Sequence, residues 1–451
     1  MKKSLLTIAS IALTIGAFAQ PGPFWNTIQN SNFPIVSAGI RHLDAVDANV
    51  VWATGYNGTG PSANYNWYST TSNGGTSFTQ GDIFPDTNTY VLCNIEGIDM
   101  SNAWVAAYKK STQDQGVIYH TMNAGTTWTN GGTVSMFATA GQSFADFVVF
   151  NTPTVGVALG DPVAGEFEIY RTINSGATWT AISGTAIPNP LAGEYGLTDS
   201  YTKFGTNDIW FGTNKGRVYH SANGGQTWSV GATAATADIV SLAFRDGMNG
   251  LVFGYTGATL GLYATTNGGA SWSAIPLDPN MGKSDICPIP GTTWYASGGA
   301  APTNTVISYS FDDGVSWNSW GSIGIQYLKI DFVSNTVGWA GSFSDQVTVG
   351  LGGIYKYSGA PLAVNATNLA PKAIDMYPNP SNGNVIINLM SSKNGATINV
   401  TDMMGKVVYT ENVKTVSFEN HNLNLQHLAK GIYYVNISQG NDNYSQKIVI
   451  Q

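Results

Sequence analysis

The chain has 451 residues, with 53 glycines, 13 tryptophans and only 10% charged side chains, whereas an average soluble domain is about a quarter charged. A hydrophobic share of 43% excludes a disordered chain, and the composition is not that of a helical bundle or coiled coil. A formal charge of −8 with no basic run argues against nucleic acid as a partner, while abundant glycine and aromatics point to an all-β fold rich in turns.

The chain opens on Met1-Lys2-Lys3, runs without charge from residue 4 to 18, and sets Ala17-Phe18-Ala19 before Gln20. A positive start, a short apolar run and small residues at −3 and −1 predict a secretory signal peptide over 1–19. The apolar run is shorter than the ~20 residues a spanning helix needs, and no later stretch is better suited. No transmembrane segment is therefore expected once the leader is removed. Cleavage takes away Lys2 and Lys3, moving the formal charge from −8 to −8 − 2 = −10.

Residues 20–359 form a repeat. An eight-residue pattern, Ser/Thr-x-Asn/Asp-x-Gly-x-Ser/Thr-aromatic, occurs six times, at 71–78, 121–128, 172–179, 221–228, 265–272 and 310–317. Its central residues Asn73, Asn123, Asn174, Asn223, Asn267 and Asp312 fall 50, 51, 49, 44 and 45 apart, and its aromatics are Phe78, Trp128, Trp179, Trp228, Trp272 and Trp317. The pattern predicts a hairpin turn: an Asx side chain folds back onto backbone amides, glycine takes φ > 0, and a large aromatic plugs the next strand into the core. A second element precedes each copy, an apolar strand, a polar turn and another apolar strand, with seven copies at 39–58, 96–108, 146–160, 201–216, 241–257, 285–299 and 328–341. The seventh unit has a further strand at 353–359 but no eight-residue pattern. Its missing strand is expected from the mature N-terminus, where Phe24-Trp25 looks like a displaced aromatic of the pattern. Pairing the two chain ends removes open sheet edges. The expected architecture is a seven-bladed β-propeller. The eight-residue pattern resembles the Asp-box (BNR repeat) of sialidases, sortilin-type receptors and photosystem II assembly-factor-like propellers. Asn replaces Asp in five of the six copies here, and Asn accepts the same turn hydrogen bonds.

Residues 360–372 lack aromatics and strand alternation and carry Pro361 and Pro371, as a linker does. Beyond it, short β-type runs alternate with Asn/Gly turns and predict a small C-terminal β-sandwich over 373–451. Tyr377-Pro378-Asn379-Pro380 with Gly383, then Asp402 to Gly405-Lys406, then Leu425, Leu428, Gly431 and Tyr433, and finally Lys447 to Ile450 follow one another in fixed order. These residues closely resemble the C-terminal sorting domain of the type IX secretion system of Bacteroidota. The resemblance implies handling by that machinery, passage across the outer membrane, and release or attachment at the cell surface.

Chemistry-bearing residues are sparse. Cys93 and Cys287 fall in the second and sixth units, too far round a ring for the ~7 Å Cα spacing of a disulfide, so two buried thiols are expected. His120 and His220 occupy a repeat slot that holds Arg171 and Ala264 elsewhere, and neither a metal-ligand motif nor a DxDxDG loop is present. No metal or other cofactor is expected, with bound Ca²⁺ left open. The chain has only four arginines, Arg41, Arg171, Arg217 and Arg245, and lacks the Phe/Tyr-Arg-Ile-Pro signature, which argues against a sialidase. Xyloglucan-cleaving relatives of such propellers use facing aspartates from two consecutive propellers, and this chain has room for one.

If the eight-residue turns mark one face of the ring, the longer loops lie on the other. Asp161 and Glu194, from adjacent units, are the candidate acid/base pair, which requires carboxyl oxygens about 5–9.5 Å apart. Trp67, Asp161, Glu166, Tyr195 and Asp199 are the candidate ligand contacts. The alternative is that these carboxylates are solvated loop charges or hydrogen-bond partners of the channel wall. Three readings stand: a monomeric secreted or surface-bound propeller that recognises a polysaccharide or protein; a glycoside hydrolase or lyase; or a structural or assembly-factor role.

Overall fold

The computed structural model describes residues 25, 27–59, 64–84, 89–133, 135–300, 304–320, 324–357, 376–389, 396–403, 406–414, 419–439 and 442–451. The expected leader (1–19), the expected linker (360–372) and Gly405 lie outside them. The chain divides into two compact units, Met1–Val364 and Asn365–Gln451.

In the first unit the strands pair antiparallel in groups of four. Five sheets are separate, and a sixth of eight strands is held together in its middle by the single residue pair Gly39↔Phe343. Divided there, the strands make seven groups. The first is Ala38–Ala45, Val51–Asn57, Asn64–Thr71 and Thr79–Asp82. In the last, Lys329–Ser334, Val337–Ser344 and Gly352–Lys356 are completed by Thr27–Asn30, which pairs with Gly352–Lys356 in the register Gln29↔Ile354. The first strands of successive groups pack on one another, and that of the last packs back on that of the first. This is a β-propeller.

Burial falls outward through the third group. Ala145–Phe150, a first strand, is buried throughout, as expected of a strand covered on both faces; the fourth strand of that group, Thr180–Ala181, is exposed. Third strands alternate, as in Asp114–Thr121.

The repeated turns close the first six groups with one bond set. The hydroxyl at the first position accepts the glycine amide (Gly75 to Thr71 at 3.1 Å, Gly225 to Ser221 at 2.8 Å), and the Asx oxygen accepts the amide four residues on (Ser77 to Asn73 at 3.0 Å, Ser316 to Asp312 at 2.9 Å). Asn and Asp differ in one bond only. Asn123 Nδ2 donates to the Thr127 hydroxyl, whereas the Ser316 hydroxyl donates to Asp312 Oδ2. A hydroxyl can turn either way, so the turn tolerates both residues.

The turn glycine is required twice over. Gly176 has φ 78°, and a Cβ there would lie 2.1 Å from the ring of Trp104 in the preceding group. Gly75 and Trp339 repeat the relationship. The turn aromatics pack in the same direction: Phe78 is edge-on to Trp339, Trp128 to Trp52 and Trp179 to Trp104. Second-strand tryptophans in turn face the slot that holds histidine. Trp104 pairs across the strands with His120, and Trp210 with His220, with rings stacked at 4.5 and 4.4 Å. Where the second strand carries Val157 or Leu251, the slot carries Arg171 or Ala264. Trp25 is fully buried, edge-on to Trp320 and Phe332 in the core of the last groups.

The second unit is a sandwich of two sheets. One orders Met376–Tyr377, Asn384–Leu389 and Glu419–Asn424; the other orders Val407–Val413, Ala396–Thr401, Gly431–Gln439 and Asp442–Ile450. Val385, Ile387, Ile398, Val435 and Ile448 share its core. Asn379 clamps the last strand, donating to Lys447 O at 2.7 Å and accepting from Val449 N at 3.0 Å.

Candidate functional site

The first strands of the groups line the axis of the propeller, and side chains from them and, between the third and fourth groups, from the second strand Gly156–Val163 cross every junction. Asp331 Oδ2 accepts the Ala45 amide at 2.8 Å, and Asp44 Oδ2 accepts the Gly97 amide. Asn94 and Glu96 accept the amides of Val148 and Phe150. Asp161 Oδ1 accepts Gly196 N at 3.1 Å, the Ser200 hydroxyl donates to Ile239 O, Ser241 Oγ accepts Ile286 N, and Asp285 Oδ2 accepts Ile330 N. These bonds give backbone groups at the junctions a side-chain partner, as burial demands.

Charges concentrate on part of this axis. Asp331, Asp44 and Glu96 come from consecutive groups, and each sits opposite a second-strand tryptophan: Asp331↔Trp339, Asp44↔Trp52, Glu96↔Trp104. Lys203 pairs with Glu96 and also donates to Phe150 O at 2.9 Å. Lys329 pairs with Asp199 and lies 3.8 Å from Asp285. Asp44, Asp199, Lys203, Lys329 and Asp331 are enclosed by protein yet keep part of their surface open to water. Side chains lining a narrow wet channel meet both conditions.

Burial pushes the Glu96 carboxyl up to about 7; Lys203 opposes the rise and Asp44 adds to it. Burial, reinforced by the Asp44 charge, pushes Asp331 up to about 7. Asp44 is itself raised by burial. Lys203 is raised because Glu96 and Asp44 outweigh the burial that disfavours its charge. His42, beside them, is driven well below its ordinary value by burial and then by Arg41 and Lys329. The channel thus holds carboxyl groups that exchange protons near neutrality, the property acid/base chemistry uses.

The sequence-derived candidates are distributed differently. Glu194 is buried and fully engaged: it pairs with Arg217 at 2.8 Å and accepts from the Thr213 hydroxyl and the Leu191 amide, both at 2.7 Å. Asp161 is buried at the junction described above. Trp67 is 9% exposed, stacked on Tyr65 at 3.9 Å and packed on Phe33, which makes it part of the core and not a displayed aromatic. Glu166 and Tyr195 are half-buried; burial, then Asp238, raises the Tyr195 phenol. Asp199 lies in the channel with φ 60°. Asp44, Glu96 and Asp331 were missed because they sit inside apolar strands. A signal existed: each precedes its tryptophan by eight positions (52 − 44, 104 − 96, 339 − 331).

Cys93 and Cys287 are both buried free thiols, and Cys93 Sγ donates to Ala145 O at 2.9 Å. Among the described residues no group of three or more His, Cys, Asp or Glu side chains could hold a metal ion.

Comparison with known proteins separates the two units. Residues 375–451 match the family described as the secretion system C-terminal sorting domain. An oligoxyloglucan-reducing end-specific xyloglucanase of Emericella nidulans is 26% identical over 201 residues, 43% of this chain and 21% of that enzyme. A probable enzyme of the same description from Neosartorya fischeri is 28% identical over 127 residues, 27% of this chain and 15% of that protein. The matched stretch thus spans about a fifth or less of the length of these curated relatives. Among solved structures, YCF48 bound to D1 peptide superposes with a TM-score of 0.50 at 16% identity, covering 77% of this chain and all of that one. That likeness is one of fold. The protein carries a type IX sorting domain and is exported through that system, to the medium or the outer face of the outer membrane.

Proposed function

We propose that this exported propeller is a glycoside hydrolase acting on a β-glucan of the xyloglucan type. The observation that carries the reading is the likeness of 201 residues to a xyloglucanase. The channel chemistry is compatible with it. Asp331, held partly protonated near pH 7, is proposed as the proton donor to the leaving oxygen, and Asp44 in the adjacent group as the second carboxyl. Glu166 and Tyr195, with partly open side chains, are proposed to contact the glycan. Asp331 and Asp44 each accept one junction amide but keep part of their surface open, whereas Asp161 and Glu194 are buried with their carboxylates in internal bonds and are assigned to holding neighbouring groups and loops.

A second reading, glycan recognition without cleavage, draws support from those same bonds, because they remove the acid/base pair expected from the loops. The chain without residues 1–19 incubated with xyloglucan oligosaccharides separates the two. Release of new reducing ends that stops in Asp331→Asn supports hydrolysis. Retention of the oligosaccharide with no new reducing ends supports recognition alone.

The leader over 1–19 is proposed to carry the chain across the inner membrane before the sorting domain acts.

A further inference from the structure

A cavity of about 230 Å³ lies in the second group, shares no lining residue with the channel charges, and is not used by the proposed chemistry. At about 30 Å³ per water it has room for roughly seven or eight waters, the space of a single sugar ring. Its lining includes Tyr90, Lys109, Gln115, Asn130, Gly132 and Phe137.

Among the described residues no Asp or Glu lines this cavity, although acids outnumber bases 27 to 19 in the chain. Lys109 is the one charged residue in this lining; its side chain makes no ion pair or hydrogen bond among the described residues, and Asp114, opposite it across the strands and influenced by its charge, is buried with Oδ2 on the Gly141 amide. Gln115 donates through Nε2 to Ala138 O at 3.0 Å, which fixes its side chain. Asn130 accepts the Gly132 amide through Oδ1 at 2.9 Å, leaving its NH₂ group as a donor. Tyr90 keeps its phenol proton, since burial and then Tyr119 raise it, and its ring is braced by Phe84 at 5.0 Å. The groups left to meet a ligand are therefore an ammonium and an amide NH₂, which only donate, and a phenol hydroxyl, which donates or accepts, beside an aromatic ring.

The backbone supports a built pocket. Gln115 and Phe137 hold φ of 51° and 52°, a conformation uncommon for residues with side chains and an outlier for a bulky one. Phe137 is completely buried, edge-on to Tyr170, so its packing holds the bend in place. At Gly132 an added Cβ would sit in ordinary contact with Asn130 Oδ1, Met136 Sδ and Ile118 Cβ at 3.5–3.7 Å, so a side chain can start there without a clash.

We infer that this cavity binds one carboxylate-bearing sugar residue, a uronic acid, of an acidic polysaccharide, with Lys109 facing the carboxylate, Asn130 and Tyr90 donating to it or to ring hydroxyls, and the Tyr90 ring under the sugar face. The site is separate from the channel, and the inference stands whether or not the channel cleaves glycans.

The test titrates the chain without residues 1–19 calorimetrically with trigalacturonate and, in parallel, with cellotriose. Trigalacturonate is expected to bind at least tenfold more tightly than cellotriose, and more weakly as salt is raised. Lys109→Ala is expected to reduce its affinity at least tenfold, and Gly132→Leu, which fills the cavity, to abolish binding with an unchanged Tm. Equal affinity for the two sugars, no binding of trigalacturonate, or unchanged binding in Lys109→Ala overturns the inference. Should Gly132→Leu lower the Tm, the Lys109→Ala titration decides alone. Xyloglucan cleavage, measured on the same two variants, is expected to persist in both, so failure of the hydrolase reading shows up in a different assay.

Discussion

Glu96 and Lys203 form an ion pair between groups that are not neighbours, the second and the fourth, so the pair reaches past the first strand of the third group instead of bridging one blade junction. The Glu96 side chain is 2% exposed and that of Lys203 36%. Replacing Lys203 by Met leaves the carboxyl without its cation. Breaking a buried pair costs about 3–5 kcal/mol, and the solvent that reaches Lys203 reduces this to about 2–3 kcal/mol. Urea unfolding at pH 8 is expected to show that loss, and Glu96→Gln/Lys203→Met to recover most of it. Loss of the same size in the double variant would mean that Lys203 acts through packing.

Stability should also depend on pH in a defined direction. Glu96 and Asp331 are both raised to about 7 in the folded protein, against ordinary values near 4 in the unfolded chain. At these two groups the folded state holds more protons between about pH 4 and 7, so their contribution to stability falls as pH rises through that window, while His42, His120 and His220, all lowered by burial, work in the opposite sense below about pH 6.5. Below it, Asp246 and Asp312, both lowered in the fold, lose their contribution as they are protonated. Thermal melts are expected to give the highest Tm near pH 5 and a Tm a few degrees lower at pH 8. Glu96→Gln should flatten that decline. A Tm that rises from pH 5 to 8 would contradict it.

Gly176→Ala combines two penalties, a left-handed backbone and a Cβ 2.1 Å from Trp104. The expected cost is about 2–4 kcal/mol. Gly165→Ala, with φ 90° but nothing within 4 Å of the added carbon, isolates the backbone share. Its unfolding midpoint should fall by much less.

Deleting residues 373–451 removes the sorting domain and is expected to leave the propeller in the periplasm. Fractionation of cells expressing the truncated chain checks this. Normal delivery of that chain to the surface or medium would assign the sorting signal elsewhere.

Much of the propeller was legible because its turns demand particular residues. Glycine with φ > 0, an Asx acceptor and a following aromatic leave a mark every 44 to 51 positions. The pairing of Thr27–Asn30 with Gly352–Lys356 was legible from the shortfall of one strand. The charged axis was hidden for a physical reason. A carboxylate that accepts a neighbouring group's amide can sit in an otherwise apolar strand, so Glu96 and Asp331 look like interruptions of the core. The loop residues misled in the opposite sense. Glu194 looks free in the sequence because Arg217 is 23 positions away (217 − 194), and Trp67 looks displayed because Phe33, which covers it, is 34 positions away (67 − 33). Polar residues in loops are exposed only when nothing distant reaches them.

The strand Thr27–Asn30 also constrains when the propeller can finish folding. Its partner ends at Lys356, so the last sheet closes a loop of more than three hundred residues, while every other described sheet of the propeller pairs strands nearby in the chain. Lengthening a loop raises its closure entropy only slowly, but contacts this remote form late and slow the overall rate. Earlier groups can assemble as the chain emerges; the ring cannot lock until nearly all of the propeller has arrived. Until then its first and last edges stay open, which gives an exported chain a long interval in which to remain unlocked.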